Sequence, residues 1–411
     1  MSHAVTLDPS VPLPRTRSTF NPGPVGLSLA ALALGAAYLA AAFDWQHAAL
    51  FLVGGAAGVV LYHAAFGFTS SWRVFIADGR GAGLRAQMVM LAATCLVFFP
   101  VIGSGQLFGH AVRGSVSPVS VSVIVGAFVF GMGMQLGGGC ASGTLYTAGG
   151  GSTRMLVTLG AFIAGSVIGA RHMPWWDKAP QLKPISLVAT LGAWTALALS
   201  LALFAVIYAA TQLVERRRHG PAEEARRPYS ALHGPWPLIA GALGLAAVNV
   251  ATLAIAGRPW GVTSAFALWG SKMLATVGVD VASWPYWKPA SRAAELHASV
   301  FNDITSLMDF GIILGALAAA GLAGRFAPVW RVPARSLAAA LVGGLMLGYG
   351  ARIAYGCNIG AYFSGIASSS VHGWLWLAAA FPGSIAGTYL RPLFGLSVER
   401  TRRAAVAREE S

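Results

Sequence analysis

Ten stretches of this chain are apolar over nearly the length of a bilayer's hydrocarbon core, and that fact limits what it can become. A helix needs ~20 predominantly apolar residues to cross that core. The stretches fall at 25–43, 48–66, 84–102, 118–136, 153–170, 187–211, 236–256, 306–324, 336–355 and 373–390. Charge, proline and glycine bound them. Only 10% of the 411 residues are charged and 56% are hydrophobic, against about 25% charged in an average soluble domain. The expected class is an all-α polytopic membrane protein lying in a lipid bilayer. Fifty-one glycines suit close helix packing in lipid, where small residues let backbones approach.

Charge sets the expected orientation. The formal net charge is +14. In a chain this apolar, such an excess reports cytoplasmic loops and anionic headgroups rather than nucleic-acid binding. It also suits an anionic substrate. The cluster Glu215-Arg216-Arg217-Arg218 through Arg226-Arg227, and the tail arginines Arg400, Arg402, Arg403 and Arg408, are placed inside. Arg171, Lys178, Lys183, Lys288 and Arg292 then fall outside, against the bias. The polar, proline-rich start of the chain shows no signal-peptide pattern and reads as a short tail.

Within this frame one stretch occurs twice. Gly131-Met-Gly-Met-Gln-Leu-Gly-Gly-Gly-Cys140-Ala-Ser-Gly143 returns as Gly348-Tyr-Gly-Ala-Arg-Ile-Ala-Tyr-Gly-Cys357-Asn-Ile-Gly360. Gly131 matches Gly348, Gly133 matches Gly350, Gly139 matches Gly356 and Cys140 matches Cys357, all at one offset. After a one-residue slip, Gly165-Ser166-x-x-Gly169 answers Gly383-Ser384-x-x-Gly387. This is an internal duplication with one thiol per copy. The expected division is a tail at 1–24, an extra span at 25–47, a first repeat at 48–186, a connecting span and basic loop at 187–235, a second repeat at 236–391, and a tail at 392–411. Matched helices lie an odd number of spans apart, so the copies are expected to run in opposite directions, an inverted repeat. A fainter echo pairs Gly67-Phe-Thr69-Ser70 with Gly261-Val-Thr263-Ser264. Each interrupts an apolar helix, and such breaks persist at membrane depth only where protein or a water cavity covers the backbone. Four broken or re-entrant elements are therefore expected, meeting near the midplane. Residues 279–304, with Trp284-Pro285-Tyr286-Trp287, have no partner in the first copy and suggest an interfacial segment.

The chemistry is expected at Cys140 and Cys357, flanked by Gly139, Gly143, Gly356 and Gly360, with Asn358 as an amide donor. Glycines let a ligand approach bare backbone, and a helix opening at the cysteine would present free N–H groups to an anion. A thiol adds a weak donor and a polarizable contact for another sulfur. The alternative, that these small residues merely pack helices, weakens when the cysteine occurs in both copies. Cys95, mid-span and unmatched, reads as core. Asp309 is expected near the interface, Arg154 as an interface anchor, and Arg352, which faces Gln135 in the other copy, as an attractor of anions or a snorkelling side chain. His63 reads equally as a packing residue or as one facing a path. Three cysteines make no disulfide framework, two alone make a poor metal site, and no hydrolase, nucleotide or metalloprotease motif is present. No cofactor is expected.

At these residues the chain resembles the YeeE/YedE, or sulfur-transport, family of bacterial inner-membrane proteins. The resemblance rests on Gly137-Gly-Gly-Cys140-Ala-Ser-Gly143, Tyr355-Gly-Cys357-Asn-Ile-Gly360, Gly67-Phe-Thr-Ser70 and Pro259-Trp-Gly-Val-Thr-Ser264, over roughly residues 48–390. It implies thiosulfate passage through a pore lined by Cys140 and Cys357, and a small cytoplasmic sulfur-carrier protein as partner. Where the family commonly has a further cysteine after Gly-Phe, this chain has Thr69, which can hydrogen-bond but cannot do thiol chemistry. Two other readings remain: a membrane-embedded thiol enzyme that relays sulfur as a persulfide, and a path for another sulfur or selenium species. A structural subunit whose cysteines only pack is a further one.

Overall fold

The computed structural model describes residues 20–220 and 230–399. Arg226, Arg227, Arg400, Arg402, Arg403 and Arg408 lie outside the described residues, as do residues 1–19 of the expected tail. The fold is mostly helical. Its first helices are α1 (Pro22–Ala42) and α2 (Trp45–His63), joined at Asp44, whose carboxylate accepts from the His47 N–H and caps α2. The half-length α3 (Phe68–Asp78) leads to α4 (Ala82–Ser104). Next come α5 (Val121–Gly137), the short α6 (Ala141–Gly149) and α7 (Thr153–Trp176). The single span expected at 187–211 is instead two pieces, α8 (Leu187–Leu191) and α9 (Ala193–His219), because Gly192 at φ +80° breaks the helix.

The second half repeats the pattern with α10 (Leu238–Ala256), α11 (Thr263–Thr276), the added α12 (Ala290–His297), α13 (Ile304–Leu322) and α14 (Ala334–Ile353). A π-helical turn at Asn358–Phe363 runs into α15 (Ser364–Ala367), and α16 (Val371–Leu390) follows. Among the described residues, nine helical segments are long and apolar enough to cross a membrane; α16, the tenth expected span, is not one of the nine. The chain is a multi-pass membrane protein.

Helix ends sort onto two faces. Glu215 near the end of α9 pairs with Arg85 at 2.6 Å, and His219 meets the Asp78 carbonyl at 2.7 Å, so α9 ends where α3 ends and α4 begins. Arg154 joins the start of α7 to the end of α5 and to Ser336 of α14. On the opposite face the Leu187 N–H donates to the Ser369 carbonyl at 2.8 Å, and the Arg113 N–H to the Gly257 carbonyl at 2.8 Å.

Packing partners recur between the halves. α7 packs on α14 as α16 packs on α5; α2 packs on α13 as α10 packs on α4; α1 lies against α13 as α9 lies against α4. At the centre α5 crosses α14 directly. A side chain at Gly133 would sit 2.9 Å from the Gly343 carbonyl, and one at Gly126 would sit 2.8 Å from the Gly350 carbonyl. Glycine is obligatory at so close an approach. The paired numbers run in opposite senses, so α5 and α14 are antiparallel; α2 and α10 are too, with Val60 beside Gly244 and Ala64 beside Gly241.

Two groups expected near the membrane interface are packed within the protein. Asp309, in the second turn of α13, is fully buried, and one turn before it Thr305 and Ser306 pack against Ser264 and Trp269 of α11. The aromatics Tyr286 and Trp287 of the added segment are buried against Met173, Leu268 and Ile353, where Trp287 donates to Ser271. Cys95 is core, as its mid-span position suggests.

Candidate functional site

The first cysteine loop leaves the end of α5 and returns to the same face. Gly138, at φ +91°, ends α5 in the left-handed conformation that glycine adopts without strain. Two residues on, Cys140 is the N-cap of α6. Its Sγ accepts from the Gly143 N–H at 3.4 Å and lies 3.5 Å from the Ser142 hydroxyl, and its carbonyl takes the Thr144 hydroxyl at 2.8 Å. A side chain at Gly139 would meet the Gly143 and Thr144 backbone at 3.0 Å, so the turn would have to open by a few tenths of an ångström to admit one. The base of the loop is closed by Arg154, which donates to the Leu136 and Gly137 carbonyls, both at 2.7 Å. Cations favour that position because the carbonyl end of a helix carries partial negative charge.

The second loop reaches a similar result by different bonds. Tyr355 at φ +56° and Gly356 at φ +149° turn the chain after α14. Cys357 then heads the π-helical turn, its carbonyl accepting the Ala361 N–H at 2.8 Å and the Tyr362 N–H at 3.2 Å. The base is held by His372, whose Nε2 lies 3.1 Å from the Ala354 carbonyl, and by Trp376, which donates to the Gly356 carbonyl at 3.2 Å. His372 thus stands where Arg154 stands in the first copy. Asn358 is fully buried, yet neither atom of its amide has a partner. Gly360 faces open space: an added methyl there would meet nothing within 4 Å.

The two loops come together inside the helix bundle. α6 packs against the Asn358–Phe363 turn, which sets the two cysteine-bearing segments side by side. Both are buried.

The breaks at Thr69 and Thr263 join the same assembly. Thr69 lies in the first turn of α3, buried, its hydroxyl unpartnered; its carbonyl accepts from the Gln135 amide at 3.2 Å. Thr263 opens α11, also buried, and its carbonyl accepts from Arg352 at 3.3 Å. Gln135 and Arg352 are matched residues, so each copy's cysteine-bearing segment is tied to its own threonine break. His63 is buried against Trp236 at a ring separation of 5.3 Å, beside the N-terminal end of α10, and reads as packing.

A cavity of about 380 Å³ opens on the face away from the α9 C-terminus. Arg113, Arg258, Arg352, Thr263, Gly356 and Gly360 are on its wall, and among the described residues no carboxylate is. Three guanidiniums give this wall positive charge, with the Glu295 carboxyl near enough to Arg258 and Arg352 to feel them. A second cavity, about 440 Å³, opens on the other face near Tyr62, Tyr146, Arg154 and Arg331, beside the C-terminal end of α6. Among the described residues no cluster of His, Cys, Asp or Glu could hold a metal. Sequence reasoning had passed over Arg113, Arg258 and His372. Arg258 precedes the Gly261 break where the matched residue before Gly67 is Ala64, and Arg113 sits in the loop between α4 and α5, so no repeated residue marked either, while His372 was findable as the residue matched to Arg154 after the one-residue slip.

The family model for sulphur transport matches residues 63–386. This chain belongs to the sulphur transport family. Among its relatives is a probable transporter YedE of Escherichia coli (strain K12), 31% identical over 176 residues that are 42% of each chain. Another YedE, of Salmonella typhimurium (strain LT2), is 33% identical over 157 residues, 37% of this chain and 38% of that one. The matches thus span about two fifths of the length of these two relatives. A thiosulfate transporter TsuA of Spirochaeta thermophila is 28% identical over 350 residues, 79% of this chain and 92% of that protein. The names of all three relatives describe transporters.

Proposed function

We propose that this protein carries thiosulfate, or a closely related inorganic sulfur anion, inward across a bacterial inner membrane. The carrying observation is the pairing of a carboxylate-free, three-arginine cavity with two buried thiols at the heads of short helical elements. Arginine selects for negative charge. The unpartnered amide of Asn358 and the bare face of Gly360 offer the next contacts. Cys357 and then Cys140 present S–H donors to an anion whose terminal sulfur is soft and polarizable. Each contact is weak, which suits passage, since a path must bind well enough to admit and loosely enough to release.

The exchange of packing partners between the halves, with α5 antiparallel to matched α14 and α2 antiparallel to matched α10, supports an inverted duplication. Two matched helices that touch and run oppositely are related by an axis lying in the membrane plane. The two cysteine loops then enter from opposite sides, Cys140 from the cytoplasm and Cys357 from outside, with the arginine cavity external. Thr69 and Thr263 buttress the path through their backbone carbonyls. A sulfur-carrier protein would meet the cytoplasmic face.

The persulfide-relay reading requires a base to generate the thiolate. The polar groups hydrogen-bonded to the Cys140 Sγ, the Gly143 N–H and the Ser142 hydroxyl, do not supply one. The deciding experiment is radiolabelled thiosulfate uptake into vesicles holding wild type, Cys140→Ala or Cys357→Ala, with sulfate as competitor. Loss in both variants and resistance to sulfate are expected. Equal uptake by all three would refute a thiol-lined path.

A further inference from the structure

We propose that Arg73 and Arg391 form a second anion-binding site at the foot of the Cys140 loop, and that Glu399 occupies it here as a tethered carboxylate. The proposal rests on the transport reading above and deepens it, for it places the site from which the substrate would leave.

The geometry is that of an occupied oxyanion site. Arg73 Nε donates to one Glu399 oxygen at 2.7 Å and Nη2 to the other at 2.6 Å. This two-pronged fit is how guanidinium recognises planar or tetrahedral oxyanions. The remaining Nη1 of Arg73 approaches the Gln135 side-chain oxygen at 3.4 Å, and Arg391 donates to the Gln135 carbonyl at 2.5 Å. Arg391 also holds the Ser397 carbonyl at 2.9 Å, which folds the segment after α16 back over this spot. With Arg154 on Leu136 and Gly137, three successive carbonyls at the end of α5 are each bound by an arginine.

Position argues for function. Gln135 matches Arg352, which lines the arginine cavity at the other cysteine loop. Each loop therefore has arginine at its approach. On the Cys357 side no carboxylate lines the cavity, whereas on the Cys140 side one fills the fork. The partners are also unequal in burial: the Arg73 side chain is 11% exposed and that of Glu399 45%. The carboxylate can swing into solvent while the arginine stays. A thiosulfate anion leaving Cys140 offers oxyanion oxygens to the same fork, and Glu399 competes with it. The segment that follows α16 thereby restrains release until it is displaced.

The test uses the full chain in vesicles and radiolabelled thiosulfate, comparing wild type, Glu399→Gln and Arg73→Gln. Removing the competitor should raise initial uptake by about two- to five-fold, the range that a part-exposed ion pair supports. Removing the site should lower uptake by at least as much. Opposite signs are the signature, because a purely structural clasp would respond alike to loss of either partner. Changes of the same sign, or none, would overturn the site while uptake that depends on Cys140 keeps the transport reading standing. No uptake by any of the three, wild type included, would overturn both. If Arg73→Gln fails to give a monodisperse solubilised protein, Arg73→Lys keeps the charge but not the fork. It should then show the loss, and uptake equal to wild type would count against the site.

Discussion

Arg154 Nη1 donates to the Gly137 carbonyl at 2.7 Å, and in the other copy His372 Nε2 meets the matched Ala354 carbonyl at 3.1 Å. One job, closing the base of a cysteine loop, is done by two different side chains at matched positions. The arginine binds two carbonyls and Ser336 as well, so Arg154→Ala should cost about 2–4 kcal/mol and His372→Ala about 1 kcal/mol, from charged and neutral hydrogen bonds respectively. Thermal unfolding in detergent would rank them, with the arginine variant expected to melt lower.

The thiols are expected to matter for passage and little for folding. Cys140→Ser keeps a donor of similar size but loses the soft sulfur, so it should retain more uptake than Cys140→Ala. The alanine variant should fall about ten-fold or more, the worth of one hydrogen bond to a charged ligand. Persulfide trapping on Cys140 during turnover would contradict this account.

Two glycines of the second loop separate fold from path. Gly356→Ala forces a side chain at φ +149° to within 2.7 Å of the Ala361 nitrogen, at a cost of about 1–3 kcal/mol. Gly360→Ala meets nothing within 4 Å. The first variant should lose stability and uptake together. The second should melt like wild type while uptake drops, and Gly360→Val should drop further.

Charge in the arginine cavity should set capture. Arg258→Gln and Arg113→Gln should raise the apparent KM for thiosulfate by about two- to ten-fold with little change in maximal rate, more so at low ionic strength, where screening is weak. Kinetics at two salt concentrations would check this. An effect on maximal rate alone would argue against a capture role.

The Arg73–Glu399 contact gives a signed pH dependence. Hydrogen bonding to Arg73 holds the Glu399 carboxyl below its ordinary value of 4.5. A depressed acid contributes its stabilisation above the unfolded value and loses it as pH falls through the folded one. The contact should therefore be constant from pH 6 to 8 and weaken only below about pH 4.5. The difference in thermal unfolding midpoint between wild type and Glu399→Gln should be flat over the first interval and shrink in the second.

The primary structure alone determined the membrane class, the positions of the long helices, the duplication and the pair of cysteines. It did so because lipid forces backbone hydrogen bonds inside each span, and because glycine at matched positions leaves a pattern no packing contact can obscure. It could not show that Gly192 splits one run into α8 and α9, since a single glycine within an apolar stretch does not fix its own φ. Nor could it place Asp309 in the interior or Tyr286 and Trp287 in a core, because burial depends on which helix lies opposite. Only the tertiary structure gathered Arg113, Arg258 and Arg352 from three distant segments around one cavity, and folded Glu399 back onto Arg73. Local sequence governs what a helix does along its own axis, while the meeting of charges across 326 residues is set by packing.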